Sequence, residues 1–212
     1  MKRIALFSIL VTIFFAPLSV ASEAGKRLDH FFLSVQSLQA DFTQEVTDDR
    51  GETIREAAGT FTLLRPGRFR WDYTSPNEQS IISDGQYLWI YDVELAQVTV
   101  KKLTDALGAS PIMLLAEPRS MNEDFILIES RGSGDLAWVE LAPKMKDTDF
   151  TRVEVGLDKQ TVREMHLKDQ FGQKTKIRFE KVQVNQPVSQ AQFHFEIPAG
   201  VDVIGLESGF PN

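Results

Sequence analysis

The sequence contains no cysteine and has fewer basic than acidic residues. Without cysteine, the 212-residue chain can form no disulfide and offers no thiolate for zinc, for an iron–sulfur cluster or for nucleophilic catalysis. Its 23 lysines and arginines stand against 30 aspartates and glutamates, and this acidic balance argues against a nucleic-acid-binding protein. The chain must therefore obtain its stability from packing, and its length is sufficient for the core of one domain.

Catalytic and cofactor-binding motifs are also missing from the sequence. There is no GxSxG, no HExxH and no phosphate-binding glycine loop. The three histidines, His30, His166 and His194, are too scattered for the usual spacing of metal ligands. We therefore expect neither an enzyme nor a resident metal or cofactor, although the sequence leaves open a pair of carboxylates that meets only in the folded chain.

The N-terminus has the pattern of a secretory leader. Lys2 and Arg3 precede an almost wholly apolar stretch over residues 4–17, and small residues before position 22 fit a cleavage site after Ala21. The apolar stretch is short for a membrane span, so an uncleaved anchor helix is the less favoured alternative. We expect residues 1–21 to be a signal peptide and residues 22–212 to form one mature domain. Cleavage would remove two basic residues and move the formal net charge from −7 to −9.

Apolar periodicity predicts one helix followed by many strands. Apolar residues recur at helical spacing over residues 23–38, and the period then changes to two. Turn signals separate the strand-like stretches, and a short helix is predicted over residues 188–192. The predicted strands are residues 40–46, 59–63, 69–73, 80–83, 86–92, 95–101, 124–130, 135–142, 149–157, 161–170 and 173–184, and the tail continues over residues 193–197 after the short helix. About eleven strands at such short spacing are typical of a mainly β sandwich or barrel.

Bulky apolar side chains fall on single faces of these strands. Phe42, Phe61 and Trp71 are examples, and they make one sheet face strongly apolar. The usual interpretation is a packed core beneath the N-terminal helix. An almost wholly apolar short helix, predicted over residues 110–116, favours a second interpretation. A helix that is apolar on all sides is normally buried, yet this one lies in a loop between strands, which suits a lid over an apolar cavity.

The position of Arg65 cannot be decided from strand parity. Arg65 follows Phe61 and Leu63 at two-residue spacing, so a continued strand would project its guanidinium group onto the apolar face, where it needs hydrogen-bond partners. If Pro66 bends the chain instead, Arg65 lies in solvent. A separate set of cations over residues 174–181 lies on the outward parity of the last long strand, either as a solvated face or as a docking surface.

One stretch of the sequence is distinctive: RPGRFRWDYTSPNEQSIISDGQYLWIYD, residues 65–92. ADFTQ precedes it, and QVTV and GASPIMLLA follow it. With these segments the chain resembles the LolA family of periplasmic lipoprotein carriers, from LDHFF near its start to FHFEIPAGV near its end. The resemblance implies an unclosed antiparallel β-barrel of about eleven strands. It also implies a helical lid around an apolar cavity that holds the acyl chains of a lipoprotein.

The resemblance further implies which residues gate and line the cavity. It places the family's closing arginine at Arg65, with backbone partners at Leu115 and Ala116 in the lid and with Phe32 on the first helix. The residues expected to line the cavity or its mouth are Val46, Phe69, Trp71, Ile81 and Ile112, to which strand parity adds Phe42, Phe61 and Leu63.

The resemblance also names partners: lipoproteins as cargo, an ABC-type release complex in the inner membrane and a receptor lipoprotein in the outer membrane. Because the chain is acidic and has no cysteine to acylate, we expect no stable membrane insertion. The leader and the resemblance together imply a periplasmic protein, which we expect to be a monomer. Arg68 and Arg70 stand where close relatives can carry neutral residues, either as plain surface charges or as part of a docking surface. A lipid- or lipoprotein-sensing regulatory domain on the same fold is the alternative function.

Overall fold

The computed structural model describes residues 22–106, 111–116, 124–132, 135–144 and 148–205, so the predicted signal peptide lies outside the described residues. The helices are α1 (Glu23–Ser34), α2 (Leu103–Ala106) and α3 (Pro111–Ala116), and a 3₁₀ helix spans Gln190–Phe193. The strands are β1 (Ser37–Thr47), β2 (Thr53–Leu64), β3 (Arg68–Ser75), β4 (Gln79–Asp84), β5 (Tyr87–Asp92), β6 (Gln97–Lys102), β7 (Phe125–Arg131), β8 (Ala137–Pro143), β9 (Phe150–Leu157), β10 (Val162–Asp169), β11 (Lys174–Val184) and β12 (Asp202–Ile204).

These twelve strands form one sheet with the order β12-β6-β5-β4-β3-β2-β1-β11-β10-β9-β8-β7. Neighbouring strands are antiparallel, except that β12 pairs with β6 in parallel. Within the described residues the outermost strands, β7 and β12, do not pair with each other, so the sheet is unclosed. The mainly β, unclosed fold predicted from the sequence is confirmed, and β12 is an additional strand that the sequence pattern does not predict.

One face of the sheet, here called the inner face, packs against α1 and α3. Period-two patterning turns Ala40, Phe42 and their counterparts on other strands toward this face, where they join one large buried cluster. Helix α1 contacts β7, β8 and β9, and Leu28 is among its buried residues. Burial of a side chain of this size contributes about 1.5–3 kcal/mol. The N-terminus of α1 is capped by Ser22, whose Oγ accepts a hydrogen bond from the amide of Gly25 at 3.0 Å.

Helix α1 ends at Ser34, four residues before the end that the periodicity predicts. Val35 already has an extended backbone, with φ −89° and ψ 108°. The side chain of Asn185 stabilises this break, because its Oδ1 accepts from the amide of Gln36 at 2.8 Å and its Nδ2 donates to the carbonyl of Ser34 at 2.9 Å. Val35 and Leu38 are nevertheless buried in the same core, so the helical spacing identified their burial but not their conformation.

Residues 193–197, which follow the predicted short helix in the tail, form no strand. Phe193 ends the 3₁₀ helix, and Phe195 packs on the other face of the sheet, with its ring centroid 6.3 Å from Trp89 and 5.7 Å from Tyr91. Phe195, Trp89 and Tyr91 belong to a small second cluster around β5 and β6. The C-terminal segment therefore covers this cluster with the side chain of Phe195 and not with a strand. The segment joins the sheet only at β12.

Candidate functional site

Aromatic side chains form the centre of the inner face. The ring centroid of Trp71 lies 4.3 Å from that of Phe42, 5.0 Å from that of Phe61 and 6.0 Å from that of Phe179. All four residues are buried. Tilted and edge-on ring pairs at such distances each contribute about 0.5–1.5 kcal/mol beyond the area that they bury. The result is a continuous aromatic surface on β1, β2, β3 and β11, in the same buried cluster as side chains of α1 and α3.

Strand register brings these rings together, and Gly59 provides the space. Phe42 on β1 lies opposite Phe179 on β11 and opposite Gly59 on β2. A Cβ atom at Gly59 would lie 2.9 Å from Cε1 of Phe42 and 1.8 Å from the carbonyl oxygen of Asp72. Glycine is therefore required here, because both the ring and the backbone of β3 approach too closely for any side chain.

The side chain of Arg65, just after β2, lies between α1 and α3. Its Nε and Nη2 donate to the carbonyl oxygen of Leu115 in α3 at 3.2 and 2.9 Å. Its Nη1 donates to the carbonyl oxygens of Phe31 at 3.0 Å, of Phe32 at 3.3 Å and of Val35. The guanidinium carbon also lies 4.5 Å from the ring centroid of Phe31. Arg65 is only 8% exposed, so of the two placements that strand parity leaves open, the structure has the buried one.

This arrangement uses the C-terminal end of α1 as an acceptor for a cation. The last carbonyl groups of a helix lack intrahelical partners and carry the negative end of the helix dipole. Hydrogen bonds from a charged donor contribute about 1.5–3 kcal/mol each. Helix α3 has only six residues and is too short to be stable alone. Arg65 thus connects the end of β2, the end of α1 and a helix that depends on such contacts for its position.

A second buried arginine, Arg27 in α1, was not among the residues singled out from the sequence. Its Nη1 donates to the carbonyl oxygens of Asp135 and Leu157, both at 3.2 Å, and its Nε donates to Glu23 at 3.1 Å. Helix α1 is therefore held to the sheet by Arg27 near its N-terminus and by Arg65 at its C-terminus. The only signal in the sequence is the Glu23–Arg27 spacing, which is typical of an ordinary surface pair on a helix.

The other residues expected at the cavity are buried to different degrees. Leu63 and Phe69 lie opposite each other on β2 and β3 and are fully buried in the main cluster, against which Ile81 is partly buried. Val46 is buried but is not part of that cluster. Ile112 lies in α3, and its side chain is outside the described residues.

The residues expected at the gate take different partners. The carbonyl oxygen of Leu115 accepts from Arg65, whereas that of Ala116 accepts from the amide of Gly67 at 3.5 Å. Phe32 is half-buried, contributes its carbonyl oxygen to Arg65 and has its ring centroid 5.2 Å from the guanidinium carbon. The structure therefore brings all four of these residues to the junction between β2, α1 and α3.

The indole nitrogen of Trp71 is buried and has no hydrogen-bond partner among the described residues. An unpaired buried N–H group costs about 1–3 kcal/mol. Neighbouring Tyr73, by contrast, donates its hydroxyl to Oε1 of Gln44 at 3.1 Å, and burial raises the pKa of Tyr73 above its ordinary value. The indole N–H of Trp71 lies close enough to the Tyr73 hydroxyl to lower the pKa of Tyr73 against the larger effect of burial, so Trp71 is a donor without a well-formed hydrogen bond.

Two searches of the described residues gave negative results. No group of three or more histidine, aspartate and glutamate side chains is placed to hold a metal ion in this part of the chain. Nor does any helix within the described ranges have both the length and the apolar character needed to cross a membrane.

Comparison with known proteins gives a consistent result over most of the chain. Residues 33–196 match the sequence profile of the family described as "Outer membrane lipoprotein carrier protein LolA". An outer-membrane lipoprotein carrier protein of Methylobacillus flagellatus is 38% identical over 205 residues, which cover 97% of this chain and all of the relative. A protein of the same name from Nitrosospira multiformis is 42% identical over 178 residues, covering 84% of this chain and 86% of the relative.

Solved structures share the fold at low sequence identity. An uncharacterized conserved protein from Thermus thermophilus has a TM-score of 0.55 at 13% identity, covering 86% of this chain and 99% of the other. A LolA superfamily protein from Nitrosomonas europaea has a TM-score of 0.50 at 11% identity, covering 82% of this chain and 99% of the other. At these identities the likeness concerns the fold alone.

Proposed function

Because this chain belongs to the LolA family of outer membrane lipoprotein carrier proteins, we propose that it binds the acyl chains of lipoproteins and carries them through the periplasm. Family membership confirms the resemblance found in the sequence, and the family is one of carriers, not of enzymes. The observation that best supports the proposal is the buried Arg65, which fastens α3 and α1 over a continuous aromatic face.

Acyl chains are proposed to bind between the inner face and α3. Phe42, Phe61 and Trp71 pack against one another in the same cluster as side chains of α1 and α3, and in this proposal their packed arrangement is the closed form of the site. Displacement of α3 would open this aromatic surface to an acyl chain. Each buried CH₂ group contributes about 0.8 kcal/mol, so two or three chains of about 16 carbons contribute tens of kcal/mol before costs. Cargo binding is therefore strong enough to separate a six-residue helix from its partners.

Arg65 is proposed to act as the gate. Its bonds to Leu115 favour the closed form, and they are weak compared with the burial of whole acyl chains. Cargo can therefore open the site, while the tendency to close lowers the net affinity and allows transfer to an acceptor. No nucleotide hydrolysis by the carrier itself is needed in this scheme.

Trp71 is proposed to contact the polar end of the acyl group. The ester carbonyl of an acylated lipoprotein is an acceptor, and Nε1 of Trp71 is a buried donor without a partner among the described residues. Pairing the two on cargo binding removes the cost of the unpaired N–H group. This contact would favour acyl esters over alkyl chains of the same length.

Location and partners follow the same proposal. Residues 1–21 would direct export and residues 22–212 would form the working domain, a monomer in the periplasm. Cargo would come from an ABC-type release complex in the inner membrane and pass to a receptor lipoprotein in the outer membrane. Arg68 and Arg70 begin β3, and Arg70 pairs with Asp72 at 2.6 Å, which favours a structural surface role for Arg70 over docking.

A two-stage transfer assay tests the function. The mature protein is added to inner-membrane vesicles that hold the release complex and a labelled lipoprotein, and the soluble fraction is then mixed with outer-membrane vesicles. We expect the label to appear in the soluble fraction with the protein and then on the outer membrane, with neither step in a reaction without the protein. Absence of release would reject the carrier function and leave the fold unchanged. Binding without onward transfer would favour the sensing domain.

A further inference from the structure

The face of the sheet opposite the inner face carries a row of three cations near the hairpin that joins β10 and β11. The sheet register places Arg152 on β9 opposite Lys168 on β10, and Lys168 opposite Lys174 on β11. All three are exposed and lie on the outward side of their strands. Like charges directly opposite each other destabilise a sheet. The free protein therefore keeps an unfavourable arrangement at this point.

The neighbouring row of the same face is neutralised by ion pairs. His166 lies between Glu154 and Glu164, at 3.3 and 3.1 Å, and Glu164 also pairs with Lys176 at 3.5 Å and with Arg178 at 3.4 Å. In the middle of β9, β10 and β11, the carboxylates on this face therefore balance the cations.

In the row formed by Arg152, Lys168 and Lys174, two of the three cations are not balanced by a carboxylate. Arg152 pairs with Glu140 at 3.1 Å. For Lys168 and Lys174, no carboxylate of the described residues lies within 4.0 Å of the ammonium nitrogen. Lys168 and Lys174 therefore lie opposite each other without an ion-pair partner among the described residues.

An exposed aromatic residue lies at the tip of the same hairpin. Phe171 is 84% exposed, although the turn around it is ordered: Oδ1 of Asp169 accepts from the amides of Phe171 and Gln173, both at 2.8 Å. Aromatic side chains are frequent among the residues that contribute most to protein interfaces. An ordered turn also loses little conformational entropy when a partner binds.

The surface beside this row is a groove of about 560 Å³. Its walls include the cations of Arg152, Lys168, Lys174 and Lys176, and also the carboxylates of Glu45, Glu140 and Glu154. A concave site of mixed charge fits an extended segment of a protein better than a flat anionic membrane, which the acidic chain as a whole also repels. We propose that this groove, together with Phe171 at the tip of the adjoining hairpin, docks an acidic segment of a partner protein that carries an apolar side chain among its carboxylates.

Charge reversal separates this docking role from a merely structural one. The probe is a fluorescently labelled peptide in which glutamate alternates with leucine, titrated with the mature protein at low ionic strength. We expect Lys174→Glu to weaken binding by about tenfold, because it replaces an attraction by a repulsion. The same substitution should raise the melting temperature, because Lys168 then faces a carboxylate. Lys159→Glu is the matched control: it makes the same charge change at the turn between β9 and β10 and should leave peptide binding unchanged.

Further measurements decide between the outcomes. Phe171→Ser should also weaken peptide binding, and a peptide with glutamine in place of glutamate should not bind. Equal binding by Lys174→Glu and Lys159→Glu, or no binding of the glutamate peptide by the unaltered protein, would overturn the proposal. So would binding of phosphatidylglycerol vesicles, but not of the peptide, through Lys168 and Lys174. Loading with acyl cargo should be unaffected by Lys174→Glu, so a failure here is distinguishable from a failure of the carrier function.

Discussion

Substitution of Arg65 by leucine tests whether closure of the site controls cargo affinity. The aliphatic side chain fills part of the same space but donates no hydrogen bond. Opening of the site separates α3 from Arg65 and breaks the two bonds to the carbonyl of Leu115, whereas the bonds to α1 can persist. The perturbation therefore acts on the balance between closed and open forms.

The size of the effect follows from these bonds. Two charge-assisted bonds to one carbonyl favour the closed form by about 3 kcal/mol, which corresponds to a population ratio of about 100. A protein that binds cargo only when open has its apparent affinity reduced by the same factor. Arg65→Leu should therefore bind acyl cargo up to about 100-fold more tightly, and its transfer to an acceptor should slow in proportion because release becomes slower.

Two measurements check this prediction: equilibrium titration with a fluorescent acyl probe, and the rate at which a loaded, labelled lipoprotein leaves the carrier for outer-membrane vesicles. Arg70→Leu is a matched control, since Arg70 is half-exposed and bonds to Asp72 and to the carbonyl of Gln192, not to α1 or α3. Arg65→Leu also removes donors from the end of α1, so circular dichroism and the melting temperature must show a folded protein. A folded Arg65→Leu variant with unchanged affinity and unchanged transfer would refute the reasoning.

Three further predictions concern packing, specificity and pH. Gly59→Ala should lower the free energy of unfolding by about 3 kcal/mol or more, because its Cβ meets the backbone of β3; urea denaturation measures this, with exposed Thr60→Ala as the control. Trp71→Phe removes the indole donor, so the preference for a diacyl ester over the matching dialkyl ether, expected to be roughly tenfold in the unaltered protein, should disappear in a competition assay. For Glu154, burial raises the pKa, but hydrogen bonds and charge interactions with Arg131 and His166 outweigh it, so the pKa lies below its ordinary value. The ionised Glu154 therefore stabilises the folded state fully above the unfolded pKa of about 4.3, and this stabilisation is lost as the pH falls through the lower pKa of the folded state. The melting temperature of the unaltered protein should fall in acid, and that of Glu154→Gln should fall less.

Strand positions and the inner face were predictable because they depend on local patterning. Period-two alternation is a property of each strand, so it assigned Phe42, Phe61 and Trp71 to an apolar sheet face, whereas their contacts depend on the strand order. The LolA resemblance then supplied the unclosed topology, which alternation alone does not distinguish from a sandwich.

The end of α1 and the burial of Arg65 were not predictable in this way. The helix ends where it does because Asn185, about 150 residues later in the chain, bonds to the backbone on both sides of Val35. Arg65 lies beyond the last residue of β2, where strand parity no longer applies, and its partners come from α1 and from Leu115. Both features depend on contacts between distant parts of the chain, which local periodicity does not contain.

The central place of β1 in the sheet has a consequence for the order of folding. Strands β2 to β6 and strands β7 to β11 each pair with sequence neighbours, so both halves are rich in local contacts. The β1–β11 ladder joins the two halves. In this ladder Leu38 lies opposite Val184, although most of the chain separates the two residues in sequence. During synthesis from the N-terminus, β1 has one neighbour only until β11 has emerged. Its free edge is then a template for wrong pairing, and closure of this long-range ladder should be the slow step of folding.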